Sequence, residues 1–235
     1  MSIKVVLFDL DGTLLPMDQG VFTKTYFGLL AQKLAPIGYD PKGLVDAIWS
    51  GTAAMVKNGG VKTNEEVFWD KFAEIYGDKA RKDIIYFEEY YQQDFDKVKA
   101  SCGFNSMSKE VVDKLKERGI RLALATNPIF PAIATQKRIR WAGLKPEDFE
   151  IYTTYENSRH CKPNPEYYRD ILKTLNVKPE ECLMVGNDVA EDMVAETVGM
   201  KVFLLSDCLI NKEHKDISKY PRGDFYKLME FIEKC

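Results

Sequence analysis

An α/β fold, with a doubly wound parallel sheet and an inserted all-helical module, follows from three observations on this sequence. A short apolar run of the kind buried on both faces opens the chain, helical periodicity without any strand run fills most of residues 17–103, and short strands then alternate with helices as far as Leu205. Alternation of this length implies right-handed crossovers and parallel pairing, because each strand and helix must bury its apolar face against the other.

Ile3 to Phe8 is β-branched and apolar and stops at Asp9, the pattern of a central strand. From Val21 to Phe95 apolar residues recur at helical spacing: Phe22, Tyr26, Leu29 and Leu30, then Phe68, Phe72 and Ile75, then Ile84, Phe87 and Tyr91. Breakers at Pro36 to Pro41 and Asn58 to Gly60 divide this stretch into three or four helices. Beyond Gly103 the order is a helix ending at Gly119, a strand Ile120 to Ala125, a helix from near Pro131 to near Gly143, and a strand near Ile151. A helix from Pro165 to about Leu175 follows, with Asn164 as cap and Pro165 as first helical residue. The strand Cys182 to Val185, a helix ending at Gly199 and the strand Lys201 to Leu205 complete the alternation. The opening strand can pair only by joining that sheet. The expected division is therefore a discontinuous core, residues 1–16 and 104–235, with residues 17–103 as an inserted helical module.

Composition excludes several classes of function. Among 235 residues, 33 Lys plus Arg face 36 Asp plus Glu, a net charge of −3, so no overall positive field draws nucleic acid or an anionic membrane. With 45% hydrophobic and 29% charged residues the chain has the balance of a folded globular protein. Its five cysteines (Cys102, Cys161, Cys182, Cys208, Cys235) are odd in number and contain no CxxC pair, which points to reduced thiols in a cytoplasmic protein and away from a zinc site. Apolar runs such as Val5 to Phe8 and Leu122 to Ala125 fall far short of the roughly 18 residues that span a bilayer. Met1 to Asp11 is likewise too briefly apolar for a signal peptide, and it stops at a carboxylate.

In an open α/β sheet, ligands bind beyond the carboxyl ends of the strands. Those ends read Asp9-Leu10-Asp11-Gly12-Thr13, Thr126-Asn127, and Gly186-Asn187-Asp188 continuing to Asp192, with Cys161-Lys162-Pro163 between the last two. Gathered at one edge, they place Asp9, Asp11, Asp188 and Asp192 around the Thr126 hydroxyl and the Lys162 ammonium. Two carboxylates about 5 Å apart repel by roughly 3 kcal/mol at an effective dielectric near 20, so such a cluster calls for a divalent cation. Oxygen-only ligands suit Mg²⁺, which keeps several waters and shares its shell with a substrate phosphate. Lys162 and Thr126, with Asn127 beside them and backbone amides beyond Asp9, are then candidates to hold the remaining phosphoryl oxygens.

In order and type, these motifs resemble the four motifs of the haloacid dehalogenase superfamily of hydrolases, over about residues 1–16 and 104–205. The resemblance implies that Asp9 is a nucleophile forming an aspartyl-phosphate, that Asp11 is the general acid and base, and that Thr126 and Lys162 bind phosphate. It further implies that Asp188 holds Mg²⁺ together with Asp9 and the Asp11 carbonyl, with Asp192 supporting the metal shell. Asn187 stands between Gly186 and Asp188 and departs from the usual spacing; the i, i+4 relation to Asp192 assigns the metal to Asp188 and an auxiliary place to Asn187. The helical insertion is similar to a C1-type cap, and the step from Thr126 to Lys162 is too short for the C2 alternative.

What the resemblance implies is a Mg²⁺-dependent phosphatase for a small phosphorylated metabolite. The alternatives are a phosphomutase or a non-catalytic phosphoryl-binding member of the same superfamily. Asp11 speaks against a dehalogenase, and the early Asp-x-Asp and large insertion fit a signalling receiver domain poorly. Other residues have plainer readings. His160 beside Cys161 has no second ligand or base at suitable spacing, His214 lies in a polar stretch, and Lys137, Arg138 and Arg140 near Trp141 read as a solvated helix face. Trp49, Trp69, Tyr86, Tyr90 and Tyr91 are expected mostly in helix packing, with one or two of the insertion's aromatics reaching substrate.

Overall fold

In the computed structural model, which describes residues 3–234, the first strand occupies the centre of the sheet and every later element is arranged about it. Met1, Ser2 and Cys235, the outer limits of the expected division and the last of the five cysteines, lie outside the described residues. Strand β1 (Val5–Phe8) is followed by helices α1 (Gln19–Leu34), α2 (Pro41–Val56), α3 (Asn64–Tyr76), α4 (Asp78–Lys82) and α5 (Ile84–Glu89). Then come α6 (Ser106–Glu117), β2 (Arg121–Leu124), α7 (Ala132–Trp141), β3 (Ile151–Tyr152), α8 (Pro165–Leu175), β4 (Cys182–Gly186), β5 (Lys201–Leu205), β6 (Arg222–Gly223) and α9 (Phe225–Glu233). The sheet order is β3-β2-β1-β4-β5-β6, with every pairing parallel.

The alternation in β1 explains its position. Val6 and Phe8 pack on one face with Val112 of α6, Ile139 of α7 and Leu228 of α9, while Val5 and Leu7 pack on the other with Tyr168 and Ile171 of α8. A strand apolar on both faces has no side to give to water. Leu14, Leu15 and Met17 then carry the first of these two cores out of the sheet and into the helical block, where it continues through Phe22, Tyr26 and Leu30.

The helices of the block start where their caps dictate. Asp18 accepts the Val21 N–H at 2.8 Å, Asp40 accepts the Gly43 N–H at 2.7 Å ahead of Pro41, and Thr63 with Glu66 forms a reciprocal capping box. Beyond Tyr76 the block is more broken than its apolar spacing predicts. Two short helices lead into a π turn, residues 90–94, and a 3₁₀ run, Phe95–Ser101. The fourth crossover also differs: a six-residue 3₁₀ segment, Met193–Val198, stands where the spacing predicts a helix. β6 and α9 lie beyond Leu205, where the sequence reading stops. Among the described residues no helix is long and apolar enough to cross a membrane.

The two connecting segments run side by side, with Met17 bridged to Cys102 and the Gly103 N–H donating to the Pro16 carbonyl at 2.7 Å. A second contact ties the far end of the block to the sheet's loops. Asn64, fully buried at the start of α3, donates to the Pro128 carbonyl at 3.2 Å and to Cys161 Sγ at 3.3 Å, and accepts from Asn58 at 2.9 Å. Its own N–H bonds to the Ser158 carbonyl and that of Glu65 to the Tyr155 carbonyl, each at 2.9 Å. Asn64→Ala would leave several of these buried groups unpaired, and a fall of about 1–3 kcal/mol in unfolding free energy is expected, measured by urea denaturation.

Candidate active site

The peptide after β1 stays in the sheet, with the Asp9 N–H bonded to the Val185 carbonyl at 2.9 Å, so the Asp9 carboxylate emerges at the middle of the sheet's carboxyl edge. Its Oδ1 accepts from the Lys162 ammonium at 2.8 Å and its Oδ2 from the Thr13 hydroxyl at 3.2 Å. Lys162 is fully enclosed and makes a second bond, 2.6 Å, to Asp192 Oδ1. Burial alone would lower the lysine's pKa, but Asp192 and Asp9 outweigh it and hold the ammonium well above its ordinary value. The other Asp192 oxygen accepts the Asp188 N–H at 2.9 Å. It lies so close to Gly186 that a Cβ there would stand 2.1 Å from it, which is why this turn carries glycine.

Asn187 and Asp188 divide their work. Asn187 is buried, accepts from the Thr13 hydroxyl at 3.0 Å and donates to the Cys208 carbonyl at 2.6 Å. Gly12, at φ +86°, gives it room, since a Cβ would fall 2.4 Å from its amide nitrogen. Asp188 Oδ1 accepts the Ala190 and Glu191 amides at 2.8 and 3.0 Å, which fixes the turn leading to Asp192. Thr126 is buried just past β2, its carbonyl accepting from the Thr153 and Tyr167 hydroxyls at 2.6 and 2.8 Å. Asn127 donates to Glu191 Oε2 at 3.1 Å and leaves its own Oδ1 buried without a partner. Burial pushes the Glu191 carboxyl up to about 7, against the pull of Lys162.

Asp11 is paired with Arg138, and here the solvated-face reading is overturned. Arg140 is exposed, but the Arg138 side chain is 1% exposed and ion-paired to Asp11 Oδ2. Its remaining donors reach the Ala134 carbonyl and the Thr135 hydroxyl at 3.3 Å each, and the guanidinium lies 4.5 Å from the centre of the Phe130 ring. A signal was present, because Arg138 falls on the same stripe of α7 as Ala134, Thr135 and Ile139, all buried. Burial pushes the Asp11 carboxyl above its usual range, opposed by Arg138 and reinforced by Asp9. Its Oδ1 is buried and unpartnered.

Asp9, Asp11, Thr126, Asn127, Asn187, Asp188 and Asp192 all line one cavity of about 640 Å³, with Lys162 and Arg138 behind its floor. Among the described residues no three His, Cys, Asp or Glu side chains converge as a closed metal shell. The donors that do face the cavity are oxygens. Asp188 spends Oδ1 on amides, and the Asp11 carbonyl lies outside the main-chain pairing of its turn, where Gly12 and Leu15 bond to Leu15 and Leu10. This set suits Mg²⁺, a hard cation that takes few protein ligands and completes its shell with water and phosphate.

His160 and Cys161 stand apart from the site. The imidazole Nδ1 is 2.7 Å from Asp170 Oδ2, and burial pushes the Cys161 thiol up to about 12, far from a nucleophile's range. Of the five aromatics expected mostly in helix packing, Trp49, Trp69 and Tyr91 line the cavity, Tyr90 is buried in packing and Tyr86 is exposed.

A profile of the haloacid dehalogenase-like hydrolases matches residues 3–195. The chain belongs to this family. Pyrophosphatase PpaX of Bacillus cereus is 23% identical over 219 residues, covering 93% of this chain and 90% of that protein. Among solved structures, the chain is similar to CbbY from Rhodobacter sphaeroides in complex with phosphate, with TM-score 0.57, 19% identity and 96% of each chain covered. A 2-haloacid dehalogenase from Pseudomonas syringae pv. Tomato gives TM-score 0.62 and 18% identity over 99% of each chain. At these identities the solved structures bear on the fold, and the family assignment makes the chain a hydrolase.

Arg138→Met strips Asp11 of its partner, and a loss of about 3–5 kcal/mol in unfolding free energy at neutral pH is expected from urea titration. The double variant with Asp11→Asn should recover part of that loss, since the deficit comes from a stranded carboxylate.

Proposed function

We propose that this hydrolase is a Mg²⁺-dependent phosphatase for small phosphorylated molecules, acting through an aspartyl-phosphate on Asp9. The observation that carries this reading is the Asp9 carboxylate fixed by Lys162 and Thr13 on the floor of a cavity that Asp11 also lines. An Asp9 oxygen would attack phosphorus as the bond to the leaving alkoxide breaks, and Asp11 would give that alkoxide its proton. Burial supports the acid role by holding the Asp11 carboxyl above the usual range. Asp11, now ionised, would take a proton from water as the water oxygen attacks phosphorus, releasing phosphate and restoring Asp9. Thr126 and Asn127, on the same wall, would donate to phosphoryl oxygens, whereas Lys162, expected on the phosphate, is enclosed between Asp9 and Asp192 away from the cavity lining and would balance the nucleophile's charge instead. Asp9, Asp188 and the Asp11 carbonyl would hold Mg²⁺, which when bound offsets negative charge on the phosphoryl group.

Residues 17–103 would act as the cap. The block supplies Phe22, Tyr26, Trp49 and Trp69 to the wall facing the aspartates, and its Asn64 contact keeps that wall close to the loops of the sheet. Such a lid excludes water and admits small molecules more readily than a phosphoprotein loop.

Phosphate release from a panel of phosphometabolites and phosphopeptides, with Mg²⁺ and with EDTA, tests the reading. Turnover of small esters that is lost on chelation and recovered with Mg²⁺ is expected; full turnover in excess EDTA would remove the metal from the proposal. Asp9→Asn should abolish turnover with the fold kept, at a cost in unfolding free energy because the enclosed Lys162 loses one of its two carboxylates, and Asp11→Asn should slow turnover by about 10²–10⁴. On the metal side, Asp188→Asn should need more Mg²⁺ than Asn187→Ala for half-maximal rate. The reverse order would transfer the metal-ligand role to Asn187.

A further inference from the structure

The cavity above Asp9 is larger than a phosphoryl group needs. Its volume of about 640 Å³ falls in the range, about 300–1,000 Å³, of sites that enclose whole organic ligands. Away from the aspartates its wall is mainly aromatic and aliphatic, with Tyr26, Trp49, Trp69 and Tyr91 from the helical block and Phe130 and Tyr155 from the loops of the sheet; the neutral polar side chains on it are Gln19, Thr23, Thr52 and Gln92. No Lys, Arg or His stands among its described lining residues, whereas Glu65, Glu88 and Glu156 do. Glu156 is occupied, accepting the Ala132 N–H at 2.8 and 3.1 Å. The Glu65 carboxylate, in the first turn of α3, has no ion pair or hydrogen bond among the described residues.

Resting on the phosphatase reading, we propose that the organic group of the substrate is aromatic or comparably apolar, is neutral or cationic, and carries no second anionic group. A second carboxylate or phosphate would give up its hydration against ring faces, find only neutral amides and hydroxyls and no cation on the wall, and meet glutamates of its own sign. An ion taken from water without a partner costs several kcal/mol. An aromatic group would instead bury its area against the rings, and an ammonium would gain the ring faces of Trp49, Trp69 or the tyrosines as well as the glutamates. Burial and the nearby Glu156, Glu66 and Glu88 already push the Glu65 carboxyl above its usual range, a penalty that an incoming cation relieves. By this chemistry, inorganic pyrophosphate, phosphoglycolate and sugar bisphosphates are poor fits: each brings a second anionic group, and pyrophosphate offers nothing apolar to the rings.

Three phosphate esters on one scaffold isolate the charge: 4-ethylphenyl phosphate, its 2-aminoethyl analogue and its 2-carboxyethyl analogue, whose phenol leaving groups are closely matched. With the full-length protein and Mg²⁺, kcat/KM for the ammonium and ethyl esters should each exceed that for the carboxylate by at least about tenfold, a difference of about 1.4 kcal/mol. Glu65→Gln should narrow the ammonium-to-carboxylate ratio. A carboxylate ester turned over as well as the other two would overturn the proposal. The same esters are titrated into Asp9→Asn protein by tryptophan fluorescence, with the same order of binding expected and a carboxylate bound as tightly as the others counting against it. If the unmodified enzyme turned over none of the esters, nor 4-nitrophenyl phosphate, the phosphatase reading would fall, and the order of binding would still decide the charge preference.

Discussion

The buried ammonium of Lys162 is the constraint from which much of the site follows. A lysine without access to water is stable as a cation only if anions surround it, and here Asp9 and Asp192 do so at 2.8 and 2.6 Å. Those two carboxylates come from the ends of different strands, β1 and β4, which are neighbours in the sheet. The ion triad therefore joins the edge of the sheet across two strands and the loop that carries Lys162. It also fixes where the nucleophile candidate points. Asp192 must approach the chain at Gly186 to reach the ammonium, so a side chain at that position has no room.

Arg138 does for Asp11 what Lys162 does for Asp9. In both cases a cation enclosed by protein sits behind the carboxylate, on the side away from the cavity, while the carboxylate lines the cavity itself. The arrangement lets the floor hold several negative charges close together without presenting a positive side chain to the ligand. The carboxylates on that floor outnumber the two enclosed cations, so on the proposed reading a phosphoryl group would need a bound cation to offset the negative charge. The two ends of the cavity thus differ in kind: a floor of carboxylates backed by enclosed cations, and walls with no Lys, Arg or His among their described residues.

Much of the scaffold was legible because the strongest local signals coincide with the strongest tertiary demands. Lys201–Leu205 and Pro165–Leu175 form as the apolar run and the Asn-Pro cap predict, and β1 is central because its alternation leaves neither face for water. The candidate site residues could be gathered from the sequence because a parallel sheet brings the carboxyl ends of its strands to one edge. Charge alone does not reveal Arg138: Arg140, two residues on, is exposed, whereas Arg138 lies on the stripe of α7 that faces the core. The breaks after Tyr76 are hidden for another reason. Residues 84–101 keep helical apolar spacing, but Tyr90 and Phe95 pack into a ring cluster with Tyr26 and Tyr91, and the backbone there passes into π and 3₁₀ turns. Periodicity records which residues are buried; it does not record how tightly the turn between them is wound.

The same ring cluster links packing to the shape of the cavity. Tyr26 contacts Phe22, Phe27, Tyr90, Tyr91, Phe95 and Phe130, and its hydroxyl is 2.7 Å from that of Tyr91. Tyr26 and Tyr91 line the cavity, and so do Phe22, Phe27 and Phe130, while Tyr90 and Phe95 are fully buried behind them. One wall of the cavity is therefore the inner surface of the core that joins the helical block to the sheet. Phe130 belongs to both, since it also lies against Arg138 and so against the partner of Asp11. Phe130, Arg138 and Asp11 thus form a contiguous path from that wall to the aspartates on the floor, and a ligand that displaced Phe130 would disturb the cation holding Asp11. A core substitution in the helical block can therefore reach Asp11 through Phe130 and Arg138 without touching Asp11 itself.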